Sequence, residues 1–159
     1  MGSGEPGDVG APKELRQERA EETRRLLLDA AVACLSEVGY AKTTTTQVQR
    51  RAGVSRGALL YHFPSKATLL VASIRHLALM TARQMRSRWE ARLDTEDRID
   101  AMLSMLWETF SGRLFYVAIE LWNAARTDPD LWQVLVREER ALGRDIRAIV
   151  IKGFGPEIA

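Results

Sequence analysis

The chain has 159 residues, 23 Lys and Arg against 21 Asp and Glu, and a single cysteine, Cys34. That length suits one ordinary core, or one small and one medium helical unit. A lone cysteine excludes an internal disulfide, no Cys/His cluster suggests zinc, and no stretch approaches the ~20 apolar residues of a membrane-spanning helix.

The opening "MGSGEPGDVGAP" is Gly/Pro-rich and polar, which predicts a disordered lead-in over residues 1–14 and no signal peptide. A cytoplasmic protein without metal or other cofactor is expected. In 23–38, Leu27, Ala30, Ala31, Cys34, Leu35 and Val38 repeat as one buried helix face, and Gly39 stands where a left-handed cap would end it. "TTTT", 43–46, offers a hydroxyl cap to a short second helix ending at Ala52. Gly53 breaks that helix, and Ser55 can cap a third over 56–62. Pro64 and Ser65 interrupt again before a long fourth helix from Lys66 to about Arg92.

Asp94 and Thr95 restart the chain. Ile99, Met102, Leu103, Leu106, Trp107 and Phe110 make an apolar stripe over 96–111. After Gly112, Phe115, Ala118, Ile119 and Trp122 line the next helix. "TDPD", 127–130, supplies a cap in Asp128 and a first helical residue in Pro129. Leu131, Val134, Leu135, Leu142, Ile149 and Val150 mark a last helix, stopping at "GFGP". No alternating strand pattern, repeat or Gly-rich phosphate loop is present, so the fold class is all-α.

Charge is unevenly placed along this helical chain. From Val38 to Trp89 there is no acid, against nine bases: Lys42, Arg50, Arg51, Arg56, Lys66, Arg75, Arg83, Arg86 and Arg88. The remaining residues carry 14 bases and 21 acids, a net −7. Faces built only for solubility interleave both signs; a one-signed block points to a polyanionic partner.

Two consecutive helices this short are marginal in water and need packing to survive. Joined by "AGVS", they follow the helix-turn-helix plan, in which the second helix enters the DNA major groove. Val48, Ala52, Val54, Leu59 and Phe63 are the inward residues; Arg56, Gly57, Ala58, Tyr61 and His62 are left outward. Arg56 can fork to guanine O6 and N7, while Gly57 and Ala58 permit close approach and Ala58 can touch a thymine methyl. Tyr61 and His62 carry phosphate-suited donors. Lys66, Thr44, Thr45 and Ser55 stand at helix starts, where backbone N–H groups favour anions.

At this density of motif the chain resembles a TetR-family transcriptional regulator. The family pattern G-[YF]-x-x-T-T-[VI]-x-x-I-A-x-x-A-G-V-S-x-G-x-L-Y-x-[HY]-F-x-[ST]-K-x-x-L meets "GYAKTTTTQVQRRAGVSRGALLYHFPSKATLL" at 39–70. "AIELWNAARTDPDLWQVL", 118–135, is similar to the ligand-domain segment of some members. The resemblance implies an all-helical homodimer on a near-palindromic double-stranded DNA operator, released by a small-molecule effector, and so a repressor. It places Arg56, Gly57, Ala58 and Tyr61 at base edges, and Thr44, Thr45, Ser55, His62 and Lys66 at phosphates. Three positions depart from the pattern: Leu60 replaces a Tyr, Gln49 a small Ala, and Thr45 an aliphatic residue.

The implied organisation is a three-helix DNA-binding head over 15–68 and a helical effector-binding and dimerisation domain over 69–159. Met102, Met105, Trp107, Phe110, Phe115, Tyr116, Ile119 and Trp122 are the candidate apolar wall of an effector pocket. Glu120 and Asn123 are its candidate polar anchors. The chain stops where the family's two further dimerisation helices would begin, so an incomplete second domain is expected, either as a piece of a longer protein or as a natural short form.

Half-sites are expected ~34–36 Å apart or a small multiple of that, with steep salt dependence. The rival readings are catalysis and a helical adaptor whose basic block binds an acidic protein or anionic surface. Catalysis is not expected, because the two histidines, His62 and His76, have no carboxylate or thiol close in sequence. An adaptor would show no preferred operator.

Overall fold

The computed structural model describes residues 13–90 and 98–154. These form seven α-helices: α1 Lys13–Lys42, α2 Thr45–Ala52, α3 Arg56–His62, α4 Lys66–Glu90, α5 Arg98–Ser111, α6 Arg113–Ala125 and α7 Pro129–Phe154. The helical boundaries follow the breakers and caps. α1, however, starts ten residues before the apolar stripe. Its extra turns are polar and exposed, and local pairs such as Gln17 to Glu21 at 3.1 Å and Arg25 to Glu22 at 2.9 Å lie along them. Such pairs give a helix local support.

Gly39 has φ 75° and ψ 175°, so the hydrogen-bonded turns continue to Lys42 across a kink. Its φ is left-handed, as the cap reading expects; its ψ is not. The chain therefore leaves α1 in a conformation essentially reserved for glycine. Thr43, fully buried, bridges the kink by donating from Oγ1 to Gly39 O at 2.6 Å.

α1, α2 and α3 pack as a three-helix head, and α4 runs from it into a bundle with α6 and α7. One buried cluster passes through both: Leu27, Ala31 and Leu35 of α1, Val48 of α2, Leu59 and Phe63 around α3, Leu69 to Val71 of α4, Val117 and Leu121 of α6, Leu131 and Leu135 of α7. The predicted inward residues Val48, Leu59 and Phe63 are buried, with Ala52 and Val54 packed against them. The short α3 thus rests on tertiary burial.

Three expectations about the core are corrected. Val38 is 40 % exposed, in a surface groove it lines with Glu37 of α1 and Gln47 and Arg50 of α2. The α5 stripe does not enter the core where its side chains are described: Leu103, Trp107 and Phe110 are all exposed. The side chains of Ile99, Met102 and Leu106 lie outside the described residues. On α6 the buried face is Val117, Leu121 and Ala125, with Leu114, Ala118 and Trp122 partly buried beside it. The predicted Ile119 is exposed. Two apolar faces share this helix, and both satisfy the 3.6-residue repeat; packing on α1 and α7 selects one.

Candidate nucleic-acid interface

The turn between α2 and α3 is built by local chemistry. Thr44 Oγ1 accepts from Gln47 N at 3.2 Å while Gln47 Oε1 accepts from Thr44 N at 2.9 Å, a reciprocal capping box. Gly53, at φ 67° and ψ 27°, closes α2 in the left-handed region. Ser55 Oγ then accepts from Ala58 N at 3.1 Å and starts α3. Gln49 is accommodated in an unexpected way: its Nε2 donates to Val54 O at 3.1 Å, clipping the turn across its mouth.

This frame presents Arg56 and Gly57 exposed at the start of α3 and Ala58 half-buried behind them. Tyr61 is 81 % exposed, far more than any core role would allow, and its ring meets His62 edge-on at 5.0 Å. Leu60 is also exposed. His62 is half-buried; burial first, and the nearby Arg24 charge second, hold its pKa below the usual histidine value. Thr44 and Ser55 are exposed and Thr45 half-buried. Both hydroxyls of the first pair already act as caps, and each keeps a lone pair and a rotor for a further partner.

Electrostatics at the head differ from the linear charge map. Arg51 is held by Glu37 at 2.5 and 2.6 Å, Arg75 by Glu138 at 3.3 Å and Asp145 at 2.6 Å, and Arg88 by Glu108. Folding therefore brings acids from outside the one-signed block onto its bases. Lys42, Arg50 and Arg56 remain exposed, with no acidic partner among the described residues. With Arg83 of α4, exposed and likewise without an acidic partner among the described residues, these three are the part of the block available to a polyanion.

Lys66 is a correction to the expected phosphate contact. Its Nζ turns inward, donates to Tyr40 O at 2.7 Å and lies 4.3 Å from the centre of the Tyr40 ring. Burial lowers its pKa, with the Asp128 charge opposing that shift. Glu120 is also displaced from its expected role as a pocket anchor: its Oε1 accepts from Tyr40 N at 2.6 Å. Sequence reasoning missed Tyr40 and Arg24, the latter lying over the Phe63 ring at 5.5 Å. The aromatic position of the quoted pattern falls on Tyr40 but carries no hint of its partners, which are distant in the chain, and nothing local marks Arg24.

The cavity of the second domain lies between α4, α6 and α7, about 210 Å³ in volume. Val71, Ile74, Ala118, Trp122, Leu135 and Leu142 supply its apolar wall, and Arg75 and Glu138 its polar edge. Trp122, whose ring meets Trp132 edge-on at 5.6 Å, is the predicted pocket residue that lines it. Trp107, Phe110, Tyr116, Ile119 and Asn123 face outward instead, and Phe115 is half-buried between Phe110 and Tyr116. The side chains of Met102 and Met105 lie outside the described residues. The aromatics were expected to converge, but α5 packs mainly on α6 and leaves their rings on the surface.

A helix-turn-helix with an exposed, capped second helix, mounted on a helical bundle with a small apolar cavity, defines a class of DNA-binding protein. Comparison with known proteins agrees. The family profile of bacterial regulatory proteins, tetR family, matches residues 27–73. The chain is similar to the HTH-type transcriptional regulator CymR of Pseudomonas putida, 38 % identical over 128 residues, covering 80 % of this chain and 63 % of the relative. It is also similar to the regulator BetI of Cronobacter sakazakii, 40 % identical over 146 residues, covering 85 % and 67 %. The crystal structure of the multidrug binding protein EbrR complexed with proflavin superimposes with a TM-score of 0.52 at 25 % identity, over 85 % of this chain and 78 % of that one. The chain belongs to the TetR family and carries its DNA-binding domain. It spans 63 % and 62 % of the length of the first two curated relatives it matches. Among the described residues, no helix is long and apolar enough to cross a membrane.

Proposed function

We propose that the protein is an operator-specific transcriptional repressor, reading each half-site of a near-palindromic duplex with α3 and released by a small effector held between α4, α6 and α7. The observation that carries this reading is the presentation of α3: a seven-residue helix, anchored by one buried leucine, that leaves Arg56, Gly57 and Tyr61 outward. Arg56, Gly57, Ala58 and Tyr61 are the proposed base-edge contacts. Thr44, Thr45, Ser55 and His62 are the proposed phosphate contacts, joined now by Lys42 and Arg50, which stand exposed near both ends of α2. Lys66 supports the interface from beneath.

A cavity of about 210 Å³ is below the usual range for drug-sized ligands, so the effector is small and mostly apolar, or the cavity widens around it. The proximity of Trp122 favours a planar ligand. Dimerisation places two α3 helices about one DNA turn apart.

Selection from a randomised duplex library, with sedimentation of the same sample, tests the reading. A palindromic consensus bound by a dimer is the expected result. Sequence-blind binding, or none at low salt, overturns it. Repression is checked by a reporter placed behind the selected duplex, whose expression falls when the protein is present.

A further inference from the structure

Three helices from outside the α1–α2–α3 head converge on one residue at its edge. Glu120 of α6 accepts from Tyr40 N at 2.6 Å, Asp128 at the start of α7 accepts from Tyr40 Oη at 3.1 Å, and Lys66 of α4 donates to Tyr40 O at 2.7 Å. The backbone donor, the backbone acceptor and the side-chain hydroxyl of Tyr40 are thus each held by a different helix. They are held at the kink where α1 gives way to α2. Gly39 allows it, since a Cβ there would overlap the Glu120 carboxylate. The ends of the same elements line the cavity: Ala118 and Trp122 flank Glu120 on α6, and Leu135 lies two turns beyond Asp128 on α7.

We propose that Tyr40 is a latch through which α4, α6 and α7 together set the position of the reading head, and that filling the cavity loosens it. This rests on the cavity being the effector site. Helix α6 is a rigid rod, so a ligand that pushes Ala118 and Trp122 outward moves Glu120, two residues away, with them. A charge-assisted hydrogen bond of 2.6 Å weakens steeply when its geometry opens. The α1–α2 kink then loses its tether while the α1 core stays packed. Two-state elements of this kind couple sites without a change in either core.

Residue-resolved amide exchange on the full chain tests the latch without DNA or effector. Glu120→Ala is expected to speed exchange of the Tyr40 amide by at least ~10-fold, with the buried α1 amides unchanged. Glu120→Gln, whose amide oxygen still accepts, stays within ~3-fold of the native rate. Ala118→Leu, which adds bulk to the cavity wall, is expected to speed Tyr40 exchange several-fold in the native chain and to add nothing in the Glu120→Ala background. If Glu120→Ala does not fold, Tyr40→Phe, which removes only the Asp128 bond, replaces it, with faster amide exchange at position 40 expected. A rate at position 40 equal to the native one in the variant that folds overturns the latch. An Ala118→Leu effect of the same size in both backgrounds overturns the coupling. Failure of the duplex selection would remove the operator reading and leave this exchange result intact.

Discussion

Arg56 and Tyr61 have no packing duty, and that makes them separable from stability. Arg56 is exposed at the start of α3 and has no acidic partner among the described residues. Arg56→Ala is expected to weaken binding to the selected duplex by roughly 10- to 100-fold and to relax the preference at one base pair of each half-site. Thermal unfolding should be unchanged. Thr44→Ala behaves oppositely: it removes a capping box and costs ~1 kcal/mol of stability, read from a denaturation midpoint. His62 links the interface to pH. Its folded pKa is depressed, so the neutral form is favoured. Its contribution to folding is present above the unfolded value of ~6.5 and is lost as pH falls from there towards the folded pKa. A phosphate nearby favours the protonated form, so duplex binding takes up a proton. Affinity is therefore expected to rise as pH falls towards the depressed pKa of the free folded protein and to level off below it, a dependence absent in His62→Gln.

At the scale of the element, the two positive-φ glycines have different reasons to be glycine. Gly53 has open space around a built Cβ, so only its left-handed backbone resists substitution. Gly39 is constrained twice, by φ 75° with ψ 175° and by the Glu120 carboxylate against its Cα. Gly39→Ala is expected to destabilise by about 1–3 kcal/mol more than Gly53→Asn, because asparagine tolerates the left-handed region while alanine at Gly39 meets strain and overlap together. Parallel urea titrations of the two variants decide it. Helix α6 shows why element-scale reading of a sequence has an internal limit. The predicted face, residues 115, 118, 119 and 122, and the buried face, residues 114, 117, 118, 121, 122 and 125, overlap at 118 and 122, and only contact with α1 and α7 shows that 119 lies outside.

For the whole molecule, charge is the property that folding redistributes most. A linear count assigns nine bases to one acid-free block, yet Arg51, Arg75 and Arg88 end in ion pairs and Lys66 turns inward. The salt dependence of duplex binding should follow the folded arrangement. Lys42→Ala and Arg50→Ala are each expected to reduce the slope of log affinity against log salt by about 1, whereas Arg75→Ala leaves the slope as it was. Equal slopes for all three would show that the ion pairs open on DNA.

The boundaries of α2 and α3, most of the buried face of α1, the inward residues of α2 and α3 and the outward set on α3 were legible in the order of residues alone, whereas the early start of α1 and its course past Gly39 were not. They rest on local rules: hydroxyl caps at Thr44 and Ser55, glycine at 53, and apolar spacing within a few turns. Lys66, Glu120 and Tyr40 were not legible as a group, because Tyr40 lies 80 residues from Glu120 and 88 from Asp128. Nor was the wall of the cavity, where an aromatic-rich stretch on α5 and α6 turned to the surface and, among the described residues, only Trp122 of the expected set reached inside. Short-range propensity and periodicity determine which segments are helices, which residues cap them and which face outward on α3. Which of two apolar faces is buried, and which distant charges meet, depends on how whole helices pack against one another, and that was decided only in the tertiary structure.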